Sequence, residues 1–124
     1  MLGLAFEGLV VNNALELLPY LHLTGVPITS IAPYYRRAGA NRPGVQVDLM
    51  IQTRKSVHLV EIKRQREIGE EIEQEVAMKR TRIKVPEGVT VRTGLVYDGH
   101  LSEVVRGDAY FDAIVSSEEL LGLK

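Results

Sequence analysis

The chain contains no cysteine, so it has neither a disulfide framework nor a thiolate nucleophile, and zinc held by sulfur is excluded. Its three histidines, His22, His58 and His100, are scattered, with no His-x-x-x-His spacing to set two imidazoles on one helical face. No apolar run approaches the roughly 18 residues of a membrane span, and the N-terminus lacks the basic segment of a secretory signal. A cytoplasmic location without a membrane partner is therefore expected. Also missing is the Gly-x-x-x-x-Gly-Lys-Ser/Thr phosphate loop of an ATPase. Neither sign of charge dominates: the net charge is −1, short of the strongly basic balance typical of nucleic-acid binders. Basic residues gather only locally, at Arg36-Arg37, Arg42, Arg54-Lys55 and Lys63-Arg64-Gln65-Arg66, while acid collects from Glu67 to Glu75.

What is present is an ordinary globular composition. The 124 residues have the length of one domain with its own core, so residues 1–124 are expected to form a single unit. Over residues 3–18, Phe6, Leu9, Val10, Ala14, Leu17 and Leu18 recur at helical spacing, and Pro19 ends the run. Ile31 to Arg37 is a predicted strand, and Gly39 to Gly44 is turn chemistry. From Val45 to Thr53 the residues alternate. Val45, Val47, Leu49 and Ile51 face one way, and Gln46, Asp48, Met50 and Gln52 face the other.

Gln52 to Lys55 turns the chain into a second strand, Val57 to Lys63, on which Leu59, Glu61 and Lys63 oppose His58, Val60 and Ile62. A helix follows from about Ile68 to Lys84, its acidic start and basic finish matching the helix dipole, and Pro86 and Gly88 stop it. Beyond it the pattern predicts a strand Val89–Tyr97, a turn at Asp98-Gly99, a strand Leu101–Val105, a loop over Gly107–Asp112, and a last helix capped by Ser116 or Ser117 and running through Leu121. The order predicts an α/β domain with a mixed central sheet.

Chemistry concentrates on the two central strands. Asp48, Glu61 and Lys63 fall on one predicted sheet face, with Glu61 and Lys63 about 6.6 Å apart along their strand. Phosphodiester hydrolysis needs a cation to neutralise phosphoryl oxygens, an activated water, and support for the departing oxygen. Magnesium takes oxygen ligands, commonly one or two carboxylates with water and substrate phosphate. Asp48 and Glu61 supply such carboxylates, the Ile62 carbonyl adds a third oxygen, and Lys63 is placed to position water and oppose developing charge. Glu7, in an otherwise apolar helix, reads either as a further metal ligand or base, or as a helix-surface residue. In the long helix Glu75 and Lys79 fall within the apolar stripe of Ile68, Ile72, Val76 and Ile83, with Gln74 at its edge. They read either as a partly buried i,i+4 ion pair or as groups reaching back to the site. An edge hairpin with one solvated face would carry the same polar residues without any site.

Phe6-Glu7, Gly44-Val45-Gln46-Val47-Asp48-Leu49, Val60-Glu61-Ile62-Lys63 and Gln74-Glu75-Val76 together resemble the PD-(D/E)xK nuclease superfamily, which has the restriction-endonuclease-like fold. More closely, the run from Gln46 through Tyr110-Phe111-Asp112 looks like the C-terminal domain that follows the ATPase module in a group of prokaryotic AAA-type ATPases. The resemblance covers nearly the whole chain. It implies a three-layer α/β/α arrangement around a mixed sheet, and dependence on Mg2+ or Mn2+. Glu7, Asp48, Glu61 and Lys63 stand for the family's acidic helix residue, metal-binding aspartate and ExK element. Gln46, Gln74, Glu75 and Lys79 are expected to support them. Two departures stand out. Val47 occupies the place of the motif's proline, the nearest proline being Pro43, and no ATPase module is present, so the chain is a free-standing domain or a fragment of a longer protein.

The expected activity is metal-dependent hydrolysis of DNA. The alternative is a catalytically inactive module of the same fold that binds nucleic acid or docks on an ATPase partner. A third reading, a small interaction domain with an accidental motif, predicts Lys63 splayed away from Asp48. A homodimer would suit a domain with so short a footprint on duplex DNA.

Overall fold

The central alternating runs form a five-stranded sheet in the order β1-β2-β3-β4-β5. The computed structural model describes residues 2–122, with Met1, Leu123 and Lys124 outside it. Its strands are β1 (Ser30–Arg36), β2 (Val45–Gln52), β3 (Ser56–Ile68), β4 (Thr90–Leu101) and β5 (Ala113–Ser116). The helices are α1 (Leu2–Asn12), α2 (Glu71–Arg82), α3 (Glu103–Gly107) and α4 (Ser117–Leu121). β1, β2 and β3 pair antiparallel, whereas β3, β4 and β5 are parallel, so the sheet is mixed. α2 provides the crossover that a β3-to-β4 parallel pair requires.

Helices cover both faces. Phe6 and Val10 of α1 and Leu120 of α4 pack with Leu49, Ile51, Val60, Ile62, Val96 and Val115 on one side. On the other, Ile72 and Val76 of α2 and Val105 of α3 pack with Leu95, Tyr97 and Leu101, and Ile83, Val85 and Val89 cover Val45, Val47, Met50, Val57 and Leu59. Among the described residues no helix is long and apolar enough to cross a membrane.

Several boundaries differ from expectation. The first helix stops at Asn12, followed by a 3-10 turn over Ala14–Leu17. The Asn13 amide donates to the Leu9 carbonyl at 2.8 Å, the local competition that makes asparagine a poor helix interior. β3 continues to Ile68, because residues past Lys63 still pair with β4, and α2 begins only at Glu71. Asp98-Gly99 is not a turn: β4 runs through it to Leu101, and the expected strand Leu101–Val105 is instead α3, its Ser102 hydroxyl accepting from the Val104 N–H. Gly99 has φ 132° and faces Gln65-Arg66, where β3 carries one residue more than β4. A Cβ there would collide with the Gln65 carbonyl, so glycine is required. β5, unassigned in the sequence, pairs with the centre of β4. Ser116 caps α4 with a full capping box to Glu119.

The alternation in β2 also breaks. Ala32 pairs with Met50 but Tyr34 pairs with Val47, so Asp48 and Leu49 together oppose Pro33, a β-bulge. Pro33 has no N–H to offer the ladder. The extra residue reverses facing. Leu49 and Ile51 join the α1 side as a pair, while Val45 and Val47 join Met50 on the α2 side, and the single-face assignment of Val45 through Ile51 does not hold.

Candidate active site

The bulge sets the geometry of the site. Past the Leu49–Val60 pair the β2–β3 ladder ends, and Ile62 is left without a partner on β2. Its N–H is taken by the Asp48 side chain, with Oδ2 accepting at 2.9 Å. Asp48 is buried, at 8% exposure, and so is Glu61, at 6%. Burial of a backbone N–H demands an acceptor, and a charge-bearing one makes a strong bond. Asp48 is thus tied to the strand that carries Glu61 and Lys63.

Glu61 faces α2, as its alternation with Leu59 requires. There Lys79 Nζ donates to Glu61 Oε1 at 2.8 Å. Burial, then the neighbouring Asp48 charge, raise the Glu61 pKa to about 7, against the opposing pull of Lys79. The Asp48 carboxylate therefore stands close enough to oppose ionisation of Glu61. Glu7, half-buried on α1, is drawn into the same field. Its pKa is raised by burial and by Asp48, with Lys79 again opposing. Four expected residues, Glu7, Asp48, Glu61 and Lys79, therefore converge electrostatically from α1, β2, β3 and α2.

Lys63 follows Glu61 by two residues on β3 but is not among the charges acting on Glu61 or Glu7. Its ammonium stands 3.9 Å from Glu75 Oε2, a loose pair on the α2 side of the sheet. The helix pair and the strand pair thus interlock, Glu61 with Lys79 and Lys63 with Glu75. The i,i+4 pair does reach back to the β3 residues rather than closing on itself.

Gln46, Gln74, Glu75 and Lys79 line one groove of about 580 Å³ between the start of β2 and α2, whose walls include Tyr35 and Met78. Asp48 and Glu61 do not line it; they lie behind Lys79. Sequence reasoning missed the clasp that shapes this groove. Arg36 donates to the carbonyls of Arg82 at 2.9 Å and Pro43 at 2.8 Å, and Arg82 donates to the Gly44 carbonyl at 3.0 Å. Nothing in the sequence marks these arginines as structural. The basic clusters are likewise dispersed. Arg64 pairs with Asp98 at 3.1 Å, and Arg54-Lys55 sit in the β2–β3 turn, eight residues or more from Lys63 along the chain.

Among the described residues no three histidine, aspartate or glutamate side chains converge as a ready metal cage. The donor set at the bulge is two carboxylates and the backbone of Ile62, all oxygen, with surplus negative charge. Comparison of the chain with protein-family models, curated proteins and solved structures finds no match.

Proposed function

We propose that this chain is a Mg2+- or Mn2+-dependent nuclease domain hydrolysing DNA phosphodiester bonds, with a restriction-endonuclease-like fold of the PD-(D/E)xK type. The observation that carries the reading is the meeting of buried Asp48 and Glu61 at the end of the β2–β3 ladder, where burial and the Asp48 charge raise the Glu61 pKa to about 7. Two neighbouring buried carboxyls, with one ammonium bound to Glu61 alone, form a site whose charge balance favours an added cation. Asp48, Glu61 and the Ile62 carbonyl would hold it, with water and substrate oxygens completing the shell. Such an ion, when bound, neutralises phosphoryl oxygens and lowers the pKa of a water.

The chain's own residues do the rest. The Ile62 N–H fixes the Asp48 carboxylate in orientation. Lys63, tethered only loosely to Glu75, is the ammonium that orients the attacking water and opposes charge on the phosphate. Glu7 takes up the proton that water gives, from the α1 side, its raised affinity suiting it to that role. Gln46 and Gln74 present amides along the groove to the sugar-phosphate chain.

Incubation with DNA and Mg2+ or Mn2+ tests this. Cleavage is expected, with a loss of about two to four orders of magnitude in Lys63→Met. Activity no greater than that of Asp48→Asn would refute catalysis.

A second reading has one observation in its favour. Lys79 already neutralises Glu61 through a 2.8 Å bond, as a fixed internal cation would in an inactive module that keeps the scaffold to bind nucleic acid or an ATPase partner. Manganese calorimetry separates the two. The nuclease binds Mn2+ with release of up to about one proton near pH 6.5, since Glu61 must ionise; the inactive module gives no heat.

A further inference from the structure

A second open region lies at the far end of the sheet and on its other face. It is a pocket of about 450 Å³ whose walls include Lys55, Ser56, His58, Arg92, Asp112 and His22, within the roughly 300–1,000 Å³ of small-ligand sites. His58 belongs to the α1 side of β3, opposite to Glu61, and Lys55 lies eight residues from Lys63 along the chain. None of these groups enters the chemistry described above.

A chain of hydrogen bonds ties His58 to the β2–β3 turn. Thr53 Oγ1 accepts from the backbone N–H groups of Lys55 at 3.2 Å and Ser56 at 3.0 Å. With both lone pairs engaged, its own proton is directed to Ser56 Oγ, 2.8 Å away. Ser56 Oγ and His58 Nε2 are joined by a hydrogen bond of 2.9 Å. Burial followed by the Arg92 charge lowers the His58 pKa, and its Nδ1 makes no hydrogen bond among the described residues, so one ring nitrogen is left to the pocket that His58 lines.

Arg92 stands beside His58 in register on β4. Its guanidinium reaches Asp112 only at 3.6 Å, too far for a hydrogen bond, and the other Asp112 oxygen accepts from the Thr93 N–H at 2.8 Å. The Lys55 ammonium has no ion-pair partner among the described residues. Two permanent cations and two imidazoles thus line a pocket with a single, already engaged carboxylate. A point charge and a guanidinium fork, rising from a turn and a strand, suit an oxyanion such as phosphate.

We propose that this pocket binds the phosphate group of a small molecule, either free phosphate or a nucleoside monophosphate. The test is an NMR titration of the full chain at neutral pH with sodium phosphate, with adenosine monophosphate, and with sodium chloride at matched ionic strength. Saturable shifts of the His58 ring and of the Lys55, Ser56 and Arg92 amides are expected with the phosphates and not with chloride. Each of Arg92→Gln and Lys55→Gln, both at exposed positions, should weaken binding by about tenfold or more while leaving distant resonances in place. Tighter binding of the nucleotide assigns the site to nucleotides, and equal binding assigns it to free phosphate. Shifts that chloride reproduces, or full affinity in both variants, overturn the proposal.

Discussion

The ammonium of Lys79 lies 2.8 Å from Oε1 of Glu61, joining the third turn of α2 to the most deeply buried acid of β3. Asp48 neighbours Glu61 and makes no ion pair among the described residues. Glu61 is consequently held between a like charge that favours its protonation and an ammonium that favours its ionisation. The net pKa of about 7 means that burial and Asp48 prevail. Four predictions follow from this balance and from the backbone that enforces it.

Removing the cation tips the balance. Lys79→Met leaves Glu61 buried beside Asp48 without compensation, and near pH 8 it should cost about 1–3 kcal/mol, Lys79 being partly exposed. Near pH 5, where Glu61 is protonated, the loss should shrink to less than about 1 kcal/mol. Urea unfolding at both pH values measures the difference; equal losses would show that Lys79 matters only for packing. The same variant should bind Mn2+ more tightly, because one carboxylate oxygen is released.

The wild-type chain should itself lose stability as pH rises. Glu61 in the folded state titrates at about 7, above its ordinary value of 4.5, so between those values the folded state binds the extra proton. Its contribution is complete below the unfolded value and is lost as pH climbs through 7, a change on the order of 2–3 kcal/mol. Denaturant midpoints across this range should fall in the wild type and stay nearly level in Glu61→Gln.

Asp48 has two separable duties. Its charge raises the Glu61 pKa, and its oxygen satisfies the Ile62 N–H. Asp48→Asn keeps the acceptor and removes the charge, whereas Asp48→Ala removes both. Both should abolish Mn2+ binding, but the alanine variant should be less stable than the asparagine variant by about 1–2 kcal/mol. Retained hydrogen-exchange protection of the Ile62 amide in the asparagine variant alone would mark the difference.

Gly99 has φ 132° opposite the extra residue of β3. Gly99→Ala places a methyl against the Gln65 carbonyl and should destabilise by about 2–4 kcal/mol. Thermal unfolding measures this, and a melting point unchanged from wild type would show that the bulge relaxes freely.

Much of this architecture was legible from periodicity. The hairpin of β2 and β3 and the Leu59/Glu61/Lys63 face follow from simple alternation, and the stop of α2 before Pro86 follows from proline chemistry. The bulge at Asp48-Leu49 was not legible, because it depends on Pro33 lying opposite, a pairing set by tertiary register. For the same reason the sequence misplaces Val45 and Val47 relative to Leu49. Asp98-Gly99 carries a turn signature that the parallel neighbour β3 overrides. Val104 and Val105 suggest a strand, but Ser102 caps a helical turn there and only Val105 is buried. At the site, the approach of Asp48 to the strand carrying Glu61 was readable, but the partners were not. That Glu61 takes Lys79, and Lys63 takes Glu75, is decided by how α2 lies across β3.

Pro33 has one more effect. β1 and β5 are the two margins of the sheet, where unpaired backbone groups invite a strand from another molecule. On one margin the bulge opposite Pro33 bends and twists the strand. On the other, only the four residues of β5 are on offer. The irregularity that delivers Asp48 to Ile62 therefore also guards the molecule against templated aggregation along its antiparallel side.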